Sequence, residues 1–303
     1  MRVDPYYVSN LSGALDQTQL SLQNLTSELS SGVSVNSLSD NPVSAGQNVV
    51  LLNQIQQDDS FTQSSNLVTG QLNVADSALG SVVTQLTQAI SLATSANNGT
   101  MNASDVQSIG NQISGILGEV MSLANTSYQG QYIFAGTQNS TVPFSTSNSN
   151  PSQTTYAGDQ GVNYLDAPNG QKIQLNVPGS QVFMGSGTKS VFGALNALVA
   201  DYSSGTVNTT QAVADTAALN TALNYVSQQR VTIDNSINQV TAAADAVTNV
   251  GTELTSAQSN LMQADFSQVS TSLSLSETQQ TALEDVIAQL GSTSNSLFSK
   301  LQG

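Results

Sequence analysis

Apolar residues near the start of the chain recur in alternating steps of four and three positions. This heptad spacing places one narrow stripe along a helix and is typical of coiled coils. The stripe stops at Gly32. It consists of Leu11, Leu15, Leu22, Leu25 and Leu29, with Thr18 in the same register.

A second helix is predicted to begin at Pro42 and to continue to about Asn97. Proline is tolerated in the first helical turn, and Asp40 or Asn41 can cap the N–H groups that this turn leaves without partners. Two glycines inside this helix lower its propensity and are expected to mark bends, namely Gly70 and Gly80.

The second half of the chain repeats the heptad spacing over a longer distance. Residues 210–263 predict one helix of about 80 Å, at ~1.5 Å per residue. A shorter helix with one face from Val106 to Leu123 is predicted behind a cap at Asn102 or Ser104, and another is predicted for 191–202. A final stripe predicts a helix almost to the last residue and consists of Leu283, Ile287, Leu290, Ser294, Leu297 and Leu301.

Helix periodicity disappears between residues 138 and 187. There, "VNYL" and "KIQLNV" flank "DAPNG", which predicts two strands joined by a turn. We therefore expect a mainly α fold, a long coiled-coil or helical-bundle rod formed by the N- and C-terminal segments, with a small β-rich central insertion. The predicted domains are a terminal coiled coil (1–40 and 265–303), a helical bundle (41–137 and 188–264) and the insertion (138–187).

The composition narrows the possible chemistry. The 303 residues include 20 acidic and 5 basic side chains, so the net charge of −15 argues against nucleic acid and against an anionic membrane as partners. Cysteine and histidine are absent, which removes disulfides, thiolate metal sites and the commonest general base. The N-terminus lacks the pattern of a Sec signal, and no apolar run of about 18 residues predicts a membrane span. We expect a protein that is not an enzyme and that has no metal and no cofactor.

The stretch "LSSGVSVNSLSDNPVSAG" at residues 29–46 raises one alternative, because a glycine-rich loop before a helix can bind phosphate. Such a loop needs clustered glycines and a lysine. Here the two glycines are fourteen positions apart, and no basic residue lies between Arg2 and Lys172. The stretch is therefore interpreted as a hinge between two helical seams, and its hinge residues are Gly32, Asn41 and Pro42.

The two terminal stripes need more partners than the chain supplies locally. A pair of helices with such narrow seams is marginal in water when it has no further neighbours. Packing against copies in other subunits would bury both stripes, so the pattern indicates an assembly protein. The predicted subunit-interface residues are Leu11, Leu15, Leu22, Leu25, Leu29, Leu283, Ile287, Leu290, Leu297 and Leu301.

Three segments in this order resemble the bacterial flagellin superfamily. They are the stretch at 29–46, "ANTSYQGQYIFAGTQNSTVPF" at 124–144, and the C-terminal run from "ELTSAQSNLMQADF" to "SNSLFSKL". The Asp40-Asn41-Pro42 step and the 124–144 segment are similar to the branch that joins hook and filament. Filament subunits are the alternative. A binding or hydrolase module in 138–187 is a further alternative, and the small size of that segment and its lack of histidine argue against it.

The resemblance implies properties that the residue pattern alone does not. In such proteins the terminal segments pair into an inner coiled-coil tube, a second helical domain surrounds it, and the insertion projects outward. The resemblance also implies a homo-oligomer in the extracellular flagellum, exported through the flagellar secretion channel without a cleaved signal. Its implied partners are a hook-associated protein on the hook side, flagellin on the filament side, and a flagellar export chaperone.

Overall fold

The computed structural model describes residues 7–35, 41–97, 101–146 and 153–301, with side chains from residue 9 to residue 290. The predicted mainly α fold with a small β-rich insertion is confirmed. A helix forms in each predicted region, and the last one begins well before the stripe that predicted it. The helices are α1 (Tyr7–Ser31), α2 (Pro42–Ala96), α3 (Ala103–Ala124), α4 (Gly179–Phe183), α5 (Val191–Ser203), α6 (Thr209–Met262) and α7 (Phe266–Leu301).

The chain divides into two compact units. The terminal unit comprises Met1–Gln57 and Val250–Gly303, and the central unit comprises Asp58–Asn249. The boundary between them falls inside α2 and inside α6. The finer division at residues 40, 137, 187 and 264 stays a prediction.

The central unit holds one hydrophobic cluster. It is built from α2, α3, α5, α6 and the segment that contains the strands, residues 127–174, here called the β-rich segment. One face of α5 is buried in this cluster and consists of Phe192, Leu195, Leu198 and Tyr202. α5 packs against α3, and their heptad-spaced aliphatic side chains interdigitate with those of the long helices. Fully buried members of the cluster include Leu79, Val82, Leu86, Ile113, Val120, Leu219 and Val226.

The β-rich segment consists of short antiparallel pairs. The hairpin predicted around "DAPNG" is confirmed, with β5 (Tyr164–Asp166) paired to β6 (Lys172–Gln174) and Gly170 at φ +82° in the turn. Glycine suits that position because it adopts positive φ without steric cost. The other pairs are β1 (Ser127–Tyr128) with β2 (Gln131–Tyr132), and β3 (Phe144–Thr146) with β4 (Thr154–Tyr156).

Aromatic rings attach this segment to the helices. The Phe144 ring lies 5.0–5.3 Å from the rings of Tyr156, Phe183 and Phe192, measured between ring centroids. Such edge and tilted contacts add to the hydrophobic burial of each ring. Phe192 belongs to α5, so the β-rich segment is packed onto the helical core of the central unit.

A carboxylate ties together the loops that precede and follow β3 and β4. Asp159 accepts hydrogen bonds from the Thr137 N–H (2.7 Å), the Thr137 hydroxyl and the Gly161 N–H (3.0 Å). These bonds stabilise the charged form and lower the pKa of Asp159. In the turn "GDQG" at residues 158–161, the aspartate therefore has a structural role, because it holds the two loops together.

The two glycines inside α2 lie beside large side chains. α2 is continuous helix across both, and a Cβ added at Gly70 would lie 2.5 Å from the Tyr128 hydroxyl oxygen. At Gly80 the neighbour is the Arg230 guanidinium, 3.5 Å from an added Cβ. That guanidinium donates to both carboxylate oxygens of Asp76, at 2.8 and 3.0 Å. Gly70 therefore makes room for Tyr128, whereas a side chain at Gly80 would make only an ordinary contact with Arg230. The bends expected at these two glycines stay a prediction.

Candidate subunit interface

The candidate interface lies on α1 and α7, which pack against each other in the terminal unit. Residues of the heptad stripe on α1 are partly buried, and most positions between them are exposed. The same holds on α7 for Leu283, Ile287 and Leu290. The backbone of α7 continues as helix to Leu301, but the side chains of Leu297 and Leu301 lie outside the described residues.

A tight connection fixes where α1 ends. Gly32 follows the last helical residue at φ +72°, a conformation that favours glycine, and its added Cβ would touch the Phe266 ring at 3.7 Å. The next residues are extended. The Ser34 N–H donates to the Met262 carbonyl (2.6 Å) and the Ala264 N–H donates to the Gly32 carbonyl (2.9 Å).

Hydrogen bonds from backbone N–H groups to a capping side chain mark the first turns of α2 and α7. The Asn41 side-chain oxygen accepts from the Ser44 N–H at 3.1 Å, with Pro42 as the first residue of α2. The Asp265 carboxylate accepts from the N–H groups of Ser267 (2.9 Å) and Gln268 (3.2 Å) at the start of α7. The predicted helix boundaries at Gly32, Asn41 and Pro42 are therefore observed. Hinge motion at these residues stays a prediction.

This connection sets the register of the helix pair. The end of α1 adjoins the start of α7 through an antiparallel bridge between Val33 and Gln263, so the two helices run in opposite directions. Stripe residues on both helices are separated by alternating intervals of four and three residues. In an antiparallel pair the series on α7 runs in the reverse direction, so each stripe residue of α1 faces one of α7. The opposed layers predicted by this match are Leu29 with Val269, Leu25 with Leu273, Leu22 with Ser276, Thr18 with Gln280, Leu15 with Leu283, and Leu11 with Ile287.

Four members of the α7 stripe were missed in the sequence. Val269 (5% exposed) and Ser276 (8%) are the most buried of the described side chains of α7, which end at Leu290, and Leu273 and Gln280 are partly buried. The signal was present, since these positions continue the four-three spacing upstream of Leu283. It was obscured because two of the four residues are polar.

The stripes of α1 and α7 that face each other are called the seam, and its Thr18–Gln280 layer is polar. Both side chains of this layer form hydrogen bonds within their own helix. The Thr18 hydroxyl donates to the Ala14 carbonyl in the preceding turn, at 2.8 Å. The Gln280 side-chain amide donates to the Glu284 carboxylate at 2.9 Å. A polar layer of this kind favours one register over others at some cost in stability.

α7 carries a second apolar stripe on a different face from the seam. Leu275, Ala282 and Val286 recur at spacings of seven and four residues and are exposed, Leu275 by 59% and Val286 by 38%. On α1, Leu20 is 61% exposed and lies opposite the seam. It borders a groove of 550 Å³ that also includes Gly13, Gln17 and Asn24.

The first turns of α2 add another exposed apolar surface to the terminal unit, formed by Val43, Val49 and Val50. On the opposite side of this segment, the Gln258 amide of α6 donates to the Asn48 side-chain oxygen at 2.8 Å. The terminal unit thus presents aliphatic side chains on α1, α2 and α7 that its own helices leave exposed.

The described residues contain no cluster of three acidic side chains placed to hold a metal ion. Within the same ranges, no helix combines the length and the apolar content needed to cross a membrane.

Comparison with known proteins agrees with this arrangement. Residues 6–139 match the family described as the bacterial flagellin N-terminal helical region. Over 139 residues the chain is 32% identical to flagellar hook-associated protein 3 of Salmonella typhimurium. That match covers 46% of this chain and 44% of the relative, so the chain spans less than half the length of this curated protein.

Two solved structures from Legionella pneumophila share the fold. Flagellar hook-associated protein 3 superimposes with a TM-score of 0.62 at 14% identity, covering 70% of this chain and 98% of the other. The flagellar junction protein gives a TM-score of 0.56 at 13% identity, covering 65% of this chain and 99% of the other. The resemblance to the bacterial flagellin family is therefore confirmed by the match of residues 6–139 and by the similarity to flagellar hook-associated protein 3, and the solved structures show a shared fold.

Proposed function

We propose that the chain is a structural subunit of the bacterial flagellum, at the junction between hook and filament, on which flagellin polymerises. The support is the relationship to proteins named hook-associated protein 3 and flagellar junction protein. The role is mechanical, because subunits would act by packing against one another and no reaction is assigned to them.

The observation that carries the proposal is the pair of apolar stripes on α7. The seam from Val269 to Leu290 is covered by α1 of the same chain. The second stripe, from Leu275 to Val286, is exposed. A helix with two apolar faces can pack between two neighbours at once, and burial of aliphatic surface contributes about 25 cal/mol per Å². We propose that copies of α1 and α7 from adjacent subunits cover this second stripe.

The predicted interface residues then have two roles. Leu11, Leu15, Leu22, Leu25 and Leu29 would build the pair with α7, and the part of each side chain that this pair leaves exposed would face a second copy. The predicted partners are further copies of this chain, a hook-associated protein on the hook side and flagellin on the filament side. Export through the flagellar secretion channel, with a chaperone beforehand, belongs to the same proposal.

Immunogold labelling of isolated flagella tests the location. We expect the label only at the boundary between hook and filament. A label along the whole filament would assign the chain to the filament subunits instead. If the protein is present in the cell lysate but the flagella of the same cells carry no label, a flagellar role is contradicted.

A matched pair of variants tests the surface. In a strain lacking the native copy, Leu275→Asn with Val286→Asn is expected to leave hooks without filaments and to release monomeric flagellin into the medium. The control is Val213→Asn with Val231→Asn, which changes two equally exposed valines (56% and 57%) on α6 in the central unit. The control is expected to restore filaments. Filaments in both strains would exclude the second stripe from the interface.

A further inference from the structure

Two carboxyl groups meet where α5 ends and α6 begins, in the central unit. Asp201 lies in the last turn of α5 and Asp215 lies in the second turn of α6. Their neighbours Tyr202 and Thr216 both contact the Asn97 side chain, which brings the two carboxyl groups close enough to interact electrostatically. The Asp201 Oδ2 atom is buried, and among the described residues it has no hydrogen-bond partner. The Asp215 Oδ2 atom accepts from the Gln211 side-chain amide at 3.0 Å.

The sequence neighbours of both acids join three helix ends. The Tyr202 hydroxyl donates to the Ala93 carbonyl (3.2 Å) and lies 3.0 Å from the Asn97 side-chain oxygen. The Asn97 amide donates to the Thr216 hydroxyl at 3.4 Å. The carboxyl pair therefore lies beside the hydrogen bonds that hold the ends of α2 and α5 to the start of α6.

No basic side chain described in the central unit is placed to neutralise the pair. Lys172 pairs with Asp166, Arg230 pairs with Asp76, and Lys189 lies 5.1 Å above the Tyr225 ring.

The elements packed around the pair add no positive charge. The charged residues of α3 are Asp105 and Glu119, α4 has none, and α2 has none after Asp76. Two neighbouring carboxylates destabilise each other unless one of them is protonated.

We propose that the Asp201–Asp215 pair is a proton-dependent latch between the end of α5 and the start of α6. It is closed when the two carboxyl groups share a proton and strained when both are charged. This device is independent of the proposed role at the junction, because it acts inside the central unit.

The direction of the pH effect follows from the protonation of Asp201. Burial, together with the hydrogen bond and charge of Asp215, raises the pKa of Asp201 from 3.8 to about 6. The folded state therefore binds more protons than the unfolded state between these values. The latch stabilises the fold most near pH 3.8, and this stabilisation is lost as the pH rises through about 6. At higher pH the free energy of unfolding no longer changes with the protonation of the pair.

Thermal unfolding of the full chain from pH 5.0 to 7.5, in EDTA, tests the latch. In Asp215→Asn the new amide donates to the Asp201 carboxylate, so the Tm at pH 7.5 is expected to rise by about 2–4 °C, with a flatter pH profile than in the wild type. Asp245→Asn removes the same charge from an exposed site on the same helix and controls for the general effect of net charge. Equal pH profiles for Asp215→Asn and Asp245→Asn would overturn the proposal.

Two further measurements keep the result specific. Hydrogen exchange at pH 7.5 is expected to be at least threefold slower at residues 200–218 in Asp215→Asn than in the wild type, and unchanged in Asp245→Asn. Carboxyl carbon NMR of the wild type is expected to show one titration near pH 6 that both Asp201→Asn and Asp215→Asn abolish, and its absence would overturn the proposal. A rise in wild-type Tm on adding CaCl₂ at pH 7.5, lost in Asp215→Asn, would assign the pair to a cation and also overturn it.

Discussion

The terminal and central units use the same heptad spacing but bury it to different extents. In the central unit Leu79, Leu86 and Val226 are fully buried, because several helices and the β-rich segment cover each stripe. In the terminal unit the stripe residues of α1 are only partly buried, because a single helix covers them. Heptad spacing therefore identifies which residues share a face, and the number of covering neighbours decides how far that face is buried.

The two units also differ in the contacts that supplement the stripes. The central unit adds an aromatic cluster around Phe144, the ion pair of Arg230 with Asp76 and the hydroxyl network of Tyr202. The described part of the terminal unit relies on helix caps and aliphatic seams. The central unit has the features of a self-sufficient fold, and we propose that assembly completes the terminal unit.

Removal of terminal segments is the strongest test of this difference. Chains lacking residues 1–31 or 268–303 are expected to keep the cooperative melting transition of the central unit, because its core lies within Asp58–Asn249. The same chains are expected to lose assembly completely. Calorimetry measures the first property, and electron microscopy of flagella from complemented strains measures the second. Loss of the central transition on truncation would show that the two units depend on each other for folding.

Cysteine pairs test the register of the terminal unit. The chain has no native cysteine, so any cross-link reports the introduced pair alone. Leu25→Cys with Leu273→Cys is expected to cross-link almost fully within one chain, on oxidation or with a short bifunctional maleimide. Leu25→Cys with Leu283→Cys is offset by about 15 Å along α7, and only trace cross-linking is expected. Mass spectrometry of the monomer band distinguishes the two outcomes, and preferential linkage in the second variant would contradict the predicted layers.

A leucine-to-alanine change in each unit measures the difference in burial. Leu86→Ala removes a fully buried side chain and is expected to lower the free energy of unfolding of the central unit by about 2–5 kcal/mol. Leu15→Ala removes a partly buried one, and the expected loss in the isolated chain is about 1 kcal/mol or less. Urea unfolding measures both values. Equal losses would mean that α1 is as well covered as the core of the central unit.

Much of the fold was predictable, because helix period, caps and turn residues are local signals. The end of α1 follows from Gly32, the start of α2 follows from the Asn41 cap, and the β5–β6 hairpin follows from "DAPNG". The surroundings of Gly70 and Gly80 were not predictable in this way. A glycine inside a helix lowers its propensity in every context, whereas the presence of Tyr128 or Arg230 beside it depends on residues distant in sequence.

The candidate interface was predicted only in part for a related reason. The aliphatic positions of both stripes could be found from spacing alone, but Ser276 and Gln280 hid the upstream half of the α7 seam. The second stripe through Leu275 and Val286 is diluted by polar residues and becomes visible only when α1 is seen to cover the first one. The Asp201–Asp215 pair depends on the packing of α5 against the start of α6, which single-sequence patterns do not encode.

Glycine-to-alanine changes give the smallest effects and separate the units by sign. A Cβ added at Gly13 in α1 would meet no atom within 4 Å, so Gly13→Ala is expected to stabilise the terminal unit by about 1 kcal/mol through helix propensity alone. A Cβ at Gly70 would meet the Tyr128 hydroxyl at 2.5 Å, so Gly70→Ala is expected to destabilise the central unit despite the same gain in propensity. In a Tyr128→Phe background that oxygen is gone, and Gly70→Ala is expected to become neutral or stabilising. Urea unfolding of the four chains in this cycle measures the coupling, and additive effects at residues 70 and 128 would show that packing does not constrain Gly70.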